Sequence, residues 1–401
     1  MYITVYKIKL WKETIMIHSI LDNDLYKFSM AQAVAKLYPR AKVKYKFIDR
    51  GATYFPEKMV DELKQAVKDM EGLYLTHNER KFLEDKVYFF DPVYIDFLNG
   101  YRYDSNEVDI KWDEGELQIT IEGYYYRTIL WEVPLMALIS ELYFKHTGAS
   151  VVWSDVDIIN INKAEDFEEL GAKVADFGTR RRHSYKSQRR VVEEFKEHKF
   201  FVGTSNLHFA EQFNLTPIGT QAHEWFMFHA AKYGFHQANA ISLGRWVDVY
   251  NGNLGIALSD TFTSKSFFKS FGTLYSKLFD GVRHDSGDPI EFGKDVEKHY
   301  VKLGIPLESK TIVFSDGLNY DAVKKIESFD WKVKRSYGIG TWLSNDIPDI
   351  TPLNMVIKMI AAKPNGNEED WIDTIKLSDV EGKHTGDRKT IELAKKVLNI
   401  G

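Results

Sequence analysis

Residues Gly203 to Glu224 read GTSNLHFAEQFNLTPIGTQAHE, and the fold turns on how this stretch is parsed. A short strand ending in Gly203-Thr204-Ser205, an amphipathic helix, and a second strand closing in Gly219-Thr220-Gln221-Ala222-His223-Glu224 account for its pattern. Two small-residue, hydroxyl-rich strand ends then lie one βα unit apart, the second closing on a histidine beside a carboxylate. In a parallel barrel, that edge is where a phosphorylated small molecule would sit.

The same rhythm continues on either side. Apolar or small-residue strands are expected at 173–178, 200–205, 216–222, 254–262, 278–287, 311–317 and 333–340, alternating with helical segments such as RRVVEEFKEH and NYDAVKKIESF. Repeated βα units with right-handed crossovers imply an α/β fold, an irregular or incomplete parallel βα barrel of about seven strands.

The flanks have a different period. LDNDLYKFSMAQAVAKLYP places Leu25, Phe28, Met30, Val34 and Leu37 at helical spacing, with Asp22 or Asn23 as N-cap and Pro39 as stop. Residues 42–48 alternate as a strand, and helices are expected at 57–72 and 77–86, the second opened by a Thr76/Glu79 capping box. Val108, Ile110 and Trp112 against Leu117, Ile119 and Ile121 predict a hairpin turning at Glu114-Gly115, and Pro134 predicts a helix start. After residue 350, MVIKMIAAK and WIDTIKLS flank a loop containing Asn365-Gly366, and TIELAKKVL reads as a terminal helix. A lone hairpin buries too little to stand alone, so this tail is expected to rejoin the N-terminal sheet. The expected division is an α+β part over 1–150, a barrel-like catalytic part over 151–350, and a returning tail over 351–401.

Fifty-three basic and 58 acidic residues give the 401-residue chain a net charge of −5, which argues against a general nucleic-acid surface. Any anion recognition must be focused in a pocket. The absence of cysteine excludes disulfides, thiolate nucleophiles and Cys-ligated metals, and fits a cytoplasmic protein. Lys7, Lys9, Lys12 and Glu13 break the apolar pattern of the first 21 residues, so neither a membrane helix nor a signal-peptide core is expected. Met16 reads as an alternative start.

The chemistry-bearing residues cluster at the C-terminal ends of the expected strands. Asp176-Phe177-Gly178-Thr179-Arg180-Arg181-Arg182-His183 leaves a strand through glycine into three arginines, which suits phosphate. The competing reading is a solvated basic turn or, with Lys186, Arg189 and Arg190, an RNA-binding patch. His223 could be a general base or a nucleophile accepting a phosphoryl group. Arg283-His284-Asp285-Ser286-Gly287-Asp288-Pro289 crowds an anion-holding arginine and two carboxylates together, Asp288 being placed to cap the next helix. An acid/base hydrolase using Asp285 and Asp288 is a further reading, although two carboxylates so placed need not converge. Ser259-Asp260-Thr261, Ser315-Asp316-Gly317 and Gly338-Ile339-Gly340-Thr341 end three more strands, the glycines allowing close approach of backbone amides to phosphate.

Taken in order, LDNDLYKFSMAQA, YKFIDRG, DFGTRRR, GTSN, GTQAHEW, SDTF, GVRHDSGDP and YGIGTWLSND resemble the motifs of the nicotinate phosphoribosyltransferase family over nearly the whole chain. That resemblance implies joining of nicotinate to phosphoribosyl pyrophosphate, with Mg²⁺ and coupled ATP hydrolysis, as a step of NAD synthesis. It implies that ATP phosphorylates His223, that Asp285 serves the ribose-pyrophosphate site, and that Arg180 and Arg283 hold the phosphoribosyl and pyridine groups. It further implies that Phe177 and Tyr26 sandwich the pyridine and that Gly317, Gly338, Gly340 and Thr341 hold the 5′-phosphate; no residue is assigned as a metal ligand. In the family the tyrosine comes from a neighbouring subunit, which implies a homodimer with shared sites. Related nicotinamide-using enzymes resemble this chain but carry aspartate where Ser205 stands, so Ser205 favours a carboxylate substrate. The alternative of the same fold is a nicotinamide- or quinolinate-specific transferase.

Overall fold

The computed structural model describes residues 16–400, so the first fifteen residues of the N-terminal reading lie outside the described part. Its strands, in chain order, are β1 (Lys42–Asp49), β2 (Val108–Asp113), β3 (Glu116–Tyr124), β4 (Val174–Asp176), β5 (Phe201–Thr204), β6 (Ile256–Leu258), β7 (Gly281–His284), β8 (Thr311–Phe314), β9 (Lys334–Ile339), β10 (Met355–Lys363) and β11 (Ile372–Asp373). They form two sheets: an antiparallel one ordered β11-β10-β1-β3-β2 and a six-stranded one ordered β5-β4-β9-β8-β7-β6. All pairings in the second sheet are parallel.

The antiparallel sheet follows from alternation. Val43, Tyr45 and Phe47 of β1 and Met355, Ile357 and Met359 of β10 turn inward, and β1 lies between β10 and β3. The tail thus pairs with the N-terminal sheet through Lys42↔Lys363 to Asp49↔Met355, with one register shift between Lys44 and Tyr45. The β2–β3 hairpin forms in the expected register, and positive φ at Glu114 and Gly115 makes the tight turn. The capping box at Thr76 and Glu79 is also present.

Three expectations are corrected. The segment 216–222 forms no strand: it touches β5 at a single bridge, Thr204↔Pro217, and then departs. Proline offers no N–H to a ladder, and Gly219 packs instead against the backbone of Tyr26. The parallel sheet therefore has six strands rather than seven, with β5 and β6 as its edges. Next to β5 the N-terminal segment is stitched in through Leu25 N–H to Ser205 O and Leu207 N–H to Asn23 O.

The helix Leu25–Leu37 is buried on nearly every side rather than on one stripe. Neither Asp22 nor Asn23 caps it: Asp24 is at the N-cap, Asp22 pairs with Arg182, and the Asn23 amide donates to Leu130 O at 2.8 Å. Pro134 is the third residue of the helix Glu132–His146, not its first. One contiguous apolar cluster runs through both sheets, from Ile17 and Leu21 through Tyr45 and Val174 to Leu398. No described helix is long and apolar enough to cross a membrane.

Candidate active site

A cavity of about 250 Å³ opens where the carboxyl ends of the parallel strands meet β1 and β10. Tyr26, Phe177, Arg180, Ser205, His223, Arg283 and Asp285, scattered over 260 positions of sequence, all line it. Gly317, Gly338, Gly340 and Thr341 are not among its walls.

His223 is the first residue of the helix His223–Tyr233, not the end of a strand. Its Nδ1 is 2.9 Å from Thr261 Oγ1, and its Nε2 is 2.9 Å from both Asp285 Oδ2 and Lys376 Nζ. Burial, reinforced by the Lys376 ammonium, pulls its pKa down to about 4 against the opposing pull of Asp260 and Asp285. The imidazole is neutral at pH 7 and can act as a nucleophile.

The carboxylate that bonds His223 is Asp285, with Asp260 Oδ1 at 3.9 Å, and not the adjacent Glu224. Glu224 faces away, into a buried chain in which Lys27 bridges Glu224 and Glu132, Tyr45 donates to Glu224 at 2.6 Å, and Arg180 stands 3.5 Å from Glu132. Burial raises Asp285, but Arg283, His223 and Lys376 overrule it and hold the carboxyl well below the usual range. Arg283 Nη2 donates to Asp285 Oδ1 at 2.8 Å and its Nε donates to Ser315 Oγ at 2.7 Å.

The same guanidinium lies 5.8 Å from the ring centre of Phe177. Phe177 rests on Gly338, where a Cβ would come within 2.3 Å of the ring. Gly338 thus shapes the aromatic wall from behind, and Gly340 likewise backs the Phe177 carbonyl, at 3.1 Å from its would-be Cβ. Gly317, with φ +58°, has open space around it and follows the pocket residue Asp316. Thr341 opens the short helix Thr341–Ser344.

Tyr26 lines the cavity of its own chain. Ser205 Oγ donates to Asp24 Oδ1 at 2.8 Å, and Asp24 also lines the cavity. A carboxyl therefore does stand beside Ser205. Burial pushes its pKa above the ordinary range although Arg180 and Ser205 oppose the shift.

The three arginines separate. Arg180 and Arg181 line the cavity, whereas Arg182 is fully buried in a bidentate pair with Asp22. Arg190 pairs with Asp157, and Lys186 lies over Trp153. His284 is a core residue against Phe292 and Phe314, and Asp288 accepts from Ile290 N–H and Glu291 N–H as a helix cap, which removes it from any acid/base pair.

Sequence reasoning missed Asp24, Arg50, Glu132, Lys358 and Lys376, all in the wall. Arg50, Arg181 and Lys358 have no carboxylate within 4 Å among the described residues, which leaves three cations for a polyanion. Burial, opposed by Glu132 and aided by Lys376 and Arg180, lowers Lys358 to about 8. A lysine inside the apolar runs around Lys27 and Lys376 was the one available signal, because a buried ammonium must have partners.

An aromatic wall, unpaired cations and a neutral buried imidazole on the strand ends of an α/β sheet define a group-transfer enzyme for a flat ring and an anionic donor. The chain belongs to the nicotinate phosphoribosyltransferase (NAPRTase) family: the family model matches residues 172–401 and its N-terminal domain matches 21–140. A relative named nicotinate phosphoribosyltransferase from Chromohalobacter salexigens is 50% identical over 96% of this chain and 98% of its own. The crystal structure of nicotinate phosphoribosyltransferase from Porphyromonas gingivalis superposes with a TM-score of 0.93 at 40% identity, over 96% of this chain and 100% of that one. The Vibrio cholerae structure of the same name gives 0.88 at 32% identity, over 96% and 94%.

Proposed function

We propose that this chain transfers the phosphoribosyl group of phosphoribosyl pyrophosphate to nicotinate, giving nicotinate mononucleotide and pyrophosphate for NAD synthesis. The observation that carries the reading is the meeting of Phe177, Tyr26, Arg180, Arg283 and the His223–Asp285 pair in one cavity. The aromatic wall suits the pyridine ring face, and Arg180 and Arg283 suit its carboxylate and the phosphoribosyl anion. Pyrophosphate leaves the ribose C1 as the pyridine nitrogen bonds to it, through an oxocarbenium-like transition state. Catalysis then comes from positioning and from neutralising the leaving group, for which Arg50, Arg181 and Lys358 stand unpaired.

ATP is the co-substrate in this reading, and neutral His223 accepts its γ-phosphoryl group through Nε2. Mg²⁺ fits the residues present: Asp260 and Asp285 are hard oxygen donors, and buried Asp260 Oδ1 has no hydrogen-bond partner among the described residues. Bound there, it would supply charge neutralisation for phosphate oxygens. Gly317, Gly338, Gly340 and Thr341 keep a part only as the strand-end backbone near the 5′-phosphate, and in this reading the chain forms a homodimer with shared sites.

Competition between nicotinate, nicotinamide and quinolinate for product, with γ-labelled ATP and wild-type or His223→Ala protein, tests both parts. Preference for nicotinamide or quinolinate overturns the substrate reading. Equal retention of label by the variant overturns the phosphohistidine.

A further inference from the structure

Lys376 enters the catalytic centre from the C-terminal tail, far from every motif of the strand ends. The tail is held there by backbone pairing: Lys376 exchanges hydrogen bonds with Thr385, and Leu377 bridges Phe262, next to Thr261. Thr374 Oγ1 also donates to Met359 O at 3.0 Å. The ammonium is 2.9 Å from His223 Nε2 and 3.1 Å from Asp260 Oδ2, with the lysine only 7% exposed.

We propose that Lys376 is a positioning residue for phosphoryl transfer: its N–H occupies the Nε2 lone pair of His223, selects the tautomer protonated on Nδ1, and then moves onto the phosphoryl oxygens. This deepens, and rests on, the phosphohistidine reading above.

Donor and acceptor capacity at Nε2 sets the tautomer. Nε2 has two neighbours at the same distance with opposite demands. Asp285 can only accept a proton from Nε2, and Lys376 can only donate one to it. A neutral imidazole satisfies one of them at a time. When Lys376 donates, Nε2 keeps its electron pair and Nδ1–H donates to Thr261 Oγ1. When the ring turns its proton to Asp285, Nε2 has no pair with which to attack. Arg283 and Ser315 already donate to Asp285, so that carboxylate does not depend on the ring proton.

In the transfer, the Nε2 pair forms the N–P bond, the bond from the γ-phosphorus to the β–γ bridging oxygen breaks, and ADP leaves with that electron pair. Nδ1 keeps its proton throughout, so no external base is required. The new phosphoryl group brings negative charge between Asp260 and Asp285, and Lys376 is the resident cation placed to meet it. Hydrolysis reverses the bookkeeping: water's oxygen bonds phosphorus, and Nε2 recovers its pair beside Lys376.

The test uses the full chain with ¹⁵N-labelled histidine, as wild type, Lys376→Met and Lys376→Arg. Retention of the thermal transition shows that each variant folds. Ring nitrogen shifts should report a lone pair on Nε2 in wild type and a proton on Nε2 in Lys376→Met. Labelling of His223 from γ-labelled ATP should fall about 100-fold in Lys376→Met and recover to within about tenfold in Lys376→Arg. An unchanged tautomer with wild-type labelling in Lys376→Met overturns the proposal, as does an arginine variant that folds but labels no better than methionine. If wild type takes no label, the phosphohistidine reading fails by itself; the ring shifts then decide whether Lys376 sets the tautomer, and an unchanged ring overturns that too.

Discussion

Arg182 and Asp22 form a two-pronged ion pair, both prongs 2.8 Å long, with neither side chain exposed to solvent. Two residues earlier, Arg180 has a side chain 36% exposed and faces the cavity. One arginine of the triplet holds the N-terminal segment to the parallel sheet, and Arg180 lines the cavity beside Glu132. Removing one partner of a buried pair strands the other charge, so Arg182→Met should destabilise the protein by about 3–5 kcal/mol. Arg180→Met should leave the denaturation midpoint close to wild type and lower kcat/KM about 10–100-fold. Urea titrations beside steady-state kinetics separate the two effects.

Gly338→Ala tests the aromatic wall. The added methyl would press on Phe177, a contact that requires the ring to move. The expected result is a KM for the pyridine substrate raised about tenfold, with KM for the phosphoribosyl donor changed less. Equal changes in both constants would mean that Phe177 does not carry ring recognition.

Glu141 gives the stability a pH dependence. Burial pushes its carboxyl up to about 7, against the opposing pull of Arg182 and the Tyr185 N–H donated at 2.9 Å. Between its ordinary value near 4.5 and about 7, the folded protein holds a proton that the unfolded chain has released. This group's contribution is therefore fully present below the lower value and is lost as pH rises through the window. Glu141→Gln should flatten the fall in Tm measured from pH 5 to 8.

Lys358 makes donor binding depend on pH on the alkaline side. With its pKa lowered to about 8, it is charged below that value and neutral above it. The KM for the phosphorylated substrate should rise as pH passes through about 8. Lys358→Arg should abolish that rise, because guanidinium stays charged throughout.

Local pattern was enough for the antiparallel sheet, for the β2–β3 hairpin and for six of the parallel strands, because alternation and turn residues act over a few positions. It was not enough at 216–222, where apolar and small residues satisfied a strand pattern but the segment meets β5 only around Thr204 and then turns toward the helix that begins at His223. Glu224 shows the same limit: adjacency to His223 suggested a partner, yet helix geometry sends neighbouring side chains about 100° apart. The carboxylate that serves His223 comes from 62 positions away.

The sequence by itself determined the family, the α/β alternation, and the set Phe177, Arg180, His223, Arg283 and Asp285, because each stands in a local motif at a strand or helix end. Only the tertiary structure decided which arginine is buried, that Tyr26 lines the same cavity as Phe177, that Asp24 stands against Ser205, and that Lys376 meets His223. These are matters of which charge lies next to which across 150 positions or more. A buried ion must find its counter-ion wherever the chain's packing puts one, and no local spacing rule records that choice.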